Sequence, residues 1–232
     1  MNLILLTGYI SIIIQIFTGI ISFSGLFYPL KEKDLILRDT LALETSVQFV
    51  EAIFYIYIIY RLISNNFSTH IRYYDWFITT PTMLISTILF LIYLEKKEKN
   101  ETITFKQILK EQWKEIMVII IANTGMLLFG FWGETNRISK GKGFIVGFAF
   151  FIIAFYLIYK SYAKIKLGKL ILGLMFSLWS VYGWVYLLPM KERNIAYNFL
   201  DIFSKNFYGL FLFYYIKDIY QGYSPDGLES FL

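Results

Sequence analysis

Asp201 and Lys205 stand near the middle of Ala196–Ile216, a run otherwise dominated by aromatic and aliphatic residues. A helix of about 20 such residues crosses a bilayer. An ionisable group at that depth costs roughly 2.5–3.5 kcal/mol on insertion scales, so it must be paired, neutralised or put to chemical use. Four residues apart, the two share one helix face at the spacing of a local ion pair. A buried lysine is also a candidate Schiff-base amine, because without its proton the nitrogen is nucleophilic. Both readings, structural salt bridge and reactive amine, stand on this stretch alone.

A second stretch, RYYDWFITTPTM, places Arg72, Asp75, Trp76, Thr79, Thr80 and Met83 at i, i+3, i+4 spacing. One helix face then presents a cation, a carboxylate, an indole, two hydroxyls and a thioether. Pro81 interrupts this helix, and Thr79 and Thr80 can bond the backbone groups that it frees. Asp75 needs a partner of opposite charge, which a protonated Schiff base on Lys205 supplies. Two carboxylates, Asp75 and Asp201, then share one buried cation, and Arg72 balances the excess.

The elements that must position these groups are membrane helices. Of 232 residues 57% are hydrophobic and only 17% charged, and the mean hydropathy is +0.55. A soluble domain of this size carries more charge. With no cysteine and a single histidine, His70, thiol catalysis, disulfides and His-rich metal clusters are excluded. Seven apolar runs are expected to span the bilayer: Leu3–Phe23, Leu41–Ile63, Tyr73–Leu94, Trp113–Trp132, Phe144–Tyr159, Leu170–Leu188 and Ala196–Ile216, the fifth being the shortest. No basic segment precedes the first, so it reads as a retained helix rather than a cleaved signal. The fold class is all-α, a seven-helix transmembrane bundle, one domain over residues 1–232.

Lysines and arginines crowd one set of connectors, 24–40, 95–112, 160–169 and the tail after 216. The positive-inside rule puts that set in the cytoplasm, with the N-terminus outside and the C-terminus inside. The net charge of +5 is thereby a topology signal, and nucleic acid is not an expected partner. Within 95–112, Ile103, Ile108 and Trp113 among lysines suggest a short helix on the membrane surface. The stretch 222–232 reads as an irregular polar tail.

The block Arg72–Pro81, with LDIFSK in the seventh run, resembles the microbial (type 1) rhodopsins, which share an RYxDWxxTTP block and a DxxxK pair. The sixth run, Trp179 to Tyr186, is similar to their WxxYPxxW sandwich only in part: Gly183 replaces the proline and Tyr186 the second tryptophan. The resemblance spans the whole chain. It implies all-trans retinal joined to Lys205, with Asp75 and Asp201 as counterions. Trp76, Met83, Met126, Trp179 and Tyr182 are implied to clamp the polyene, with Tyr186 also in the cofactor site. Thr79, Thr80, Asn123 and Gly130 complete the expected site, and Gly147, Phe150 and Phe151 lie where that family meets the ring.

Fold and chromophore do not settle function. Ser86 occupies the position at which pumps of this family carry an acidic donor, eleven residues after Asp75. Glu44, Gln48, Glu51 and Tyr55 form a stripe on the second helix, and Thr7, Ser11, Gln15, Thr18 and Ser22 one on the first. Asn198 precedes Asp201 by one turn. Such stripes face a bundle interior or a water path, and their carboxylates favour cations. The pattern is most like the group 1 viral rhodopsins of giant DNA viruses. It implies a light-gated channel for monovalent cations and protons, not an enzyme, with Ser11, Glu44, Gln48, Glu51, Arg72 and Asn198 along the pathway. Calcium is expected to slow conduction through paired carboxylates, and self-association is left open. The expected location is a host-cell membrane during viral infection. An outward proton pump and a photosensor with a membrane partner are the alternatives.

Overall fold

The structure, a computed structural model, describes residues 2–223; most of the expected tail, 224–232, lies outside them. Six helices follow in order: α1 (Leu3–Ser24), α2 (Leu35–Ile63), α3 (Arg72–Glu98), α4 (Phe105–Glu134), α5 (Lys140–Tyr162) and α6 (Lys166–Tyr186). Each is long and apolar enough to cross a membrane. The seventh span consists of α7 (Met190–Asp201), a π turn over Ile202–Asn206, and α8 (Phe207–Gln221). No strand occurs among the described residues.

The hydrophobic pattern is turned inside out relative to a soluble bundle. On α1 the polar stripe is buried, with Ser11 and Ser22 fully inaccessible, while Phe17 is 70% exposed. Lipid solvates the apolar face, so the buried polar groups must find partners inside the bundle. Helix α3 is the axis. Most of its span is buried, against about a third of the others, and it packs against α2, α4, α5 and α6. Helix α1 closes the ring against α2 and the seventh span.

The helices outrun their apolar runs because terminal charges end a hydrophobic stretch without ending a helix. Arg38 and Asp39 lie in the opening turns of α2, and Lys140 and Lys142 in those of α5, capped by the Ser139 hydroxyl. The surface helix expected within 95–112 is not separate. It is the opening of α4, which starts from a Thr104–Gln107 capping box and continues unbroken to Glu134. Ile108 is fully buried there, because an uninterrupted helix carries it into the core.

Pro81 leaves α3 continuous. The Thr79, Thr80 and Thr82 hydroxyls donate to the carbonyls of Asp75, Trp76 and Ile78 at 3.0, 2.8 and 2.9 Å. These bonds flank the Phe77 carbonyl, the one that a proline at 81 deprives of its usual donor.

Candidate functional site

Three acids from three elements meet one amine. Lys205 Nζ lies 2.8 Å from Asp75 Oδ2, 3.1 Å from Glu51 Oε1 and 3.6 Å from Asp201 Oδ1. The π turn carries Lys205, and π geometry inside α-helices is concentrated at functional sites. Asp201 is held on both oxygens: Tyr55 donates at 2.7 Å and Arg72 at 3.4 Å to Oδ2, while Tyr182 donates at 2.8 Å to Oδ1. Arg72 in turn donates to Asn194 at 2.9 Å and to Asn198 at 2.5 Å. The stripe spacing gives Glu51 a place on the α2 interior but not at the amine. Its neighbour one turn on, Tyr55, contacts Asp201, and that contact fixes α2 against the seventh span.

Beside Lys205 opens an apolar cavity. Trp76, Thr80 and Met83 of α3, Met126 and Gly130 of α4, and Trp179, Tyr182 and Tyr186 of α6 line it, with Gly147 and Phe151 of α5. Thr79 and Asn123 stand behind this lining. Asn123 donates to Thr80 Oγ1 at 2.8 Å, so it orients a wall residue. Phe150 instead stacks on Phe129, centroids 5.8 Å apart. Gly183, where the rhodopsin pattern has proline, leaves room for the Phe148 ring, 2.8 Å from where a β-carbon would stand. A long apolar cavity with aromatic walls and one amine at its edge fits a flat polyene bearing an aldehyde.

A buried polar column runs along α1, α2, α3 and the seventh span. Towards the Arg193 end, Asn198 donates to Thr7 at 2.8 Å, and Asn194 links Arg72 to the Thr69 hydroxyl at 2.8 Å. Arg193 closes this end with Glu134 at 2.8 Å. That pair was not legible in the sequence, since α4 had to be seen ending beside α7. Both partners are over 90% buried, and removing one member of a buried pair costs about 3–5 kcal/mol. Glu134→Gln should therefore lower the thermal midpoint by several degrees, read as loss of helical circular dichroism in detergent; an unchanged midpoint would show the pair to be solvated.

Towards the other end, Gln15 donates to Ser11 at 2.9 Å, Thr18 to Asn206 at 2.6 Å, and Ser86 to Glu44. An apolar layer follows, with Leu37, Leu41, Leu212 and Ile216 all fully buried. Beyond it the Tyr93 and Tyr223 hydroxyls donate to Asp34 at 2.7 and 3.0 Å. This latch ties the α1–α2 connector to α3 and to the end of the seventh span. Among the described residues no three His, Cys, Asp or Glu side chains are arranged to hold a metal ion, so the calcium expectation finds no built cage.

Residues 6–219 match the family model described as bacteriorhodopsin-like protein. No relative matches among curated proteins. Among solved structures, viral rhodopsin OLPVRII is similar at 31% identity and a TM-score of 0.80, over 94% of this chain and 99% of that one. The blue light-absorbing proteorhodopsin from Med12 shares 20% identity at a TM-score of 0.73, over 95% and 99%. Acetabularia rhodopsin I shares 19% at 0.73, over 95% and 97%.

Proposed function

The chain belongs to the bacteriorhodopsin-like family, and from that premise we propose that it is a retinal photoreceptor acting as a light-gated channel for monovalent cations and protons. Family membership implies retinal; its all-trans form and its covalent link to Lys205 Nζ belong to the proposal. When bound there, retinal supplies light absorption and a change of shape at the nitrogen. The residues of the chain do the rest. Asp75, Glu51 and Asp201 hold a positive charge at Nζ, and Asp75 Oδ2, the nearest oxygen, is the atom placed to accept its proton. Tyr55, Tyr182 and Arg72 fix Asp201 in place by donating to both of its oxygens. Trp76, Trp179 and Tyr182 exclude water from the cavity and orient what lies in it.

The single observation that carries the channel reading is the buried polar column. Lipid cannot satisfy these side chains, so they face the bundle interior or a water path. Yet Ser11, Glu44, Gln48, Glu51, Arg72 and Asn198 are all 1% exposed or less and lie along one side of the bundle. Two carboxylates on α2 favour cations. With the positive-inside orientation, the Arg193 end faces outward and the Asp34 latch guards the cytoplasmic mouth. The membrane proposed is that of a host cell during viral infection.

One observation favours a second reading, an outward proton pump. Ser86, which replaces the pump-type acid, donates to Glu44, so a carboxyl does stand on the Asp34 side of Lys205. Photocurrents at several voltages separate the two. A channel current changes sign with the ionic gradient, whereas a pump current keeps its sign at every voltage.

A further inference from the structure

Between Lys205 and the Leu37 layer lies a group of buried polar atoms that no residue of the described chain satisfies. Gln15 Oε1, Ser22 Oγ, Glu44 Oε2, both ends of the Gln48 amide, Asn206 Nδ2 and the Tyr208 hydroxyl have no hydrogen-bond partner. Three of the side chains are anchored at one atom and free at the other. Gln15 gives its amide nitrogen to Ser11, Asn206 accepts from Thr18 on its oxygen, and Glu44 accepts from Ser86 on one oxygen only. Two glycines provide the room. A β-carbon at Gly209 would stand 3.2 Å from Ser22 Oγ and collide with the Gln48 amide, and one at Gly19 would lie 3.9 Å from Gln48 Oε1. The Gln48 amide therefore sits between α1 and α8, next to Ser22.

Buried polar groups in folded proteins are almost all paired, and each one left bare costs about 1–3 kcal/mol. So many together call for an occupant, and its charge follows from the donor set. The Lys205 ion pairs go to Glu51, Asp75 and Asp201, and among the described residues Glu44 forms no ion pair. The free atoms are mainly amide, hydroxyl and carboxylate oxygens, which replace the hydration shell of a hard cation. One carboxylate among neutral oxygens balances one positive charge, whereas divalent sites gather several.

We infer that Gln15, Glu44 and Gln48, with Ser22, Asn206 and Tyr208 around them, form a binding station for one partly hydrated monovalent cation. Its role in conduction rests on the channel reading; its occupancy in the dark does not.

Thallium(I), a strongly scattering substitute for potassium, tests it in crystals of the full retinal-bound chain. An anomalous peak beside the Gln15, Gln48 and Glu44 oxygens is expected, lost in Gln48→Leu and weakened in Glu44→Gln. Water alone at the site, or a peak unchanged by both substitutions, would overturn the inference. Per amount of coloured protein, Gln48→Leu should also lower the passive photocurrent roughly tenfold, since it removes an oxygen ligand from the path, while Gln48→Glu retains it. Equal currents in the parent and Gln48→Leu would overturn the inference too. Should Gln48→Leu not fold, Glu44→Gln carries both measurements. A parent without passive current defeats the channel reading, and the thallium peak still decides the station.

Discussion

Lys205→Ala, supplied with retinal, is expected to stay colourless, with no visible band beyond that of the free aldehyde. Lys205 is the amine at the edge of the aromatic cavity and is 2% exposed. The nearby cation, Arg72, is a guanidinium, always charged and not a nucleophile. The substitution also leaves Glu51, Asp75 and Asp201 with Arg72 alone, and an uncompensated buried charge costs about 3–5 kcal/mol. Loss of colour in the alanine variant could thus report unfolding. Lys205→Arg separates the two effects, because it restores a positive charge but cannot condense with an aldehyde. A folded Lys205→Arg protein that is colourless supports covalent attachment at this amine; a visible band in either variant would place the link elsewhere.

The number of spans and the residues facing inward were legible in the sequence, for a physical reason. In lipid a polar side chain must point into the bundle, so Ser11, Gln15, Glu44 and Asn198 declare their faces by type alone. Spacing along one helix does not give the rotation and depth of one helix against another. Glu51 could be placed on the α2 interior, yet its 3.1 Å approach to Lys205 depends on how α2 packs on the seventh span. The Glu134–Arg193 pair and the Asp34–Tyr93–Tyr223 latch join residues 59 and more apart in the chain, and no local pattern marks them. Helix ends lie beyond the apolar runs wherever charge and helix coincide, as at Lys140, which opens α5. The π turn carries no sequence signal that spacing rules detect.

The chromophore spectrum should rank the three acids. Asp75→Asn is expected to move the absorption maximum to longer wavelength by the largest amount, on the order of tens of nanometres. A unit charge 2.8 Å from Nζ interacts by about 6 kcal/mol at an effective dielectric of 20. It stabilises the ground state, with the positive charge near the nitrogen, more than a state in which that charge has moved away. Among the described residues Asp75 Oδ1 has no hydrogen-bond partner, so its negative charge is not shared. Glu51→Gln should shift the band the same way by less, being 3.1 Å away. Asp201→Asn should shift it least, because Asp201 is 3.6 Å distant and already divides its charge among Tyr55, Tyr182 and Arg72. Three anions beside the two cations Lys205 and Arg72 leave one negative charge in excess, so a proton shared among the acids is the natural balance. A Glu51→Gln spectrum identical to the parent's would overturn this ranking: it would put the shared proton on Glu51 and reduce the counterion at Lys205 to the two aspartates.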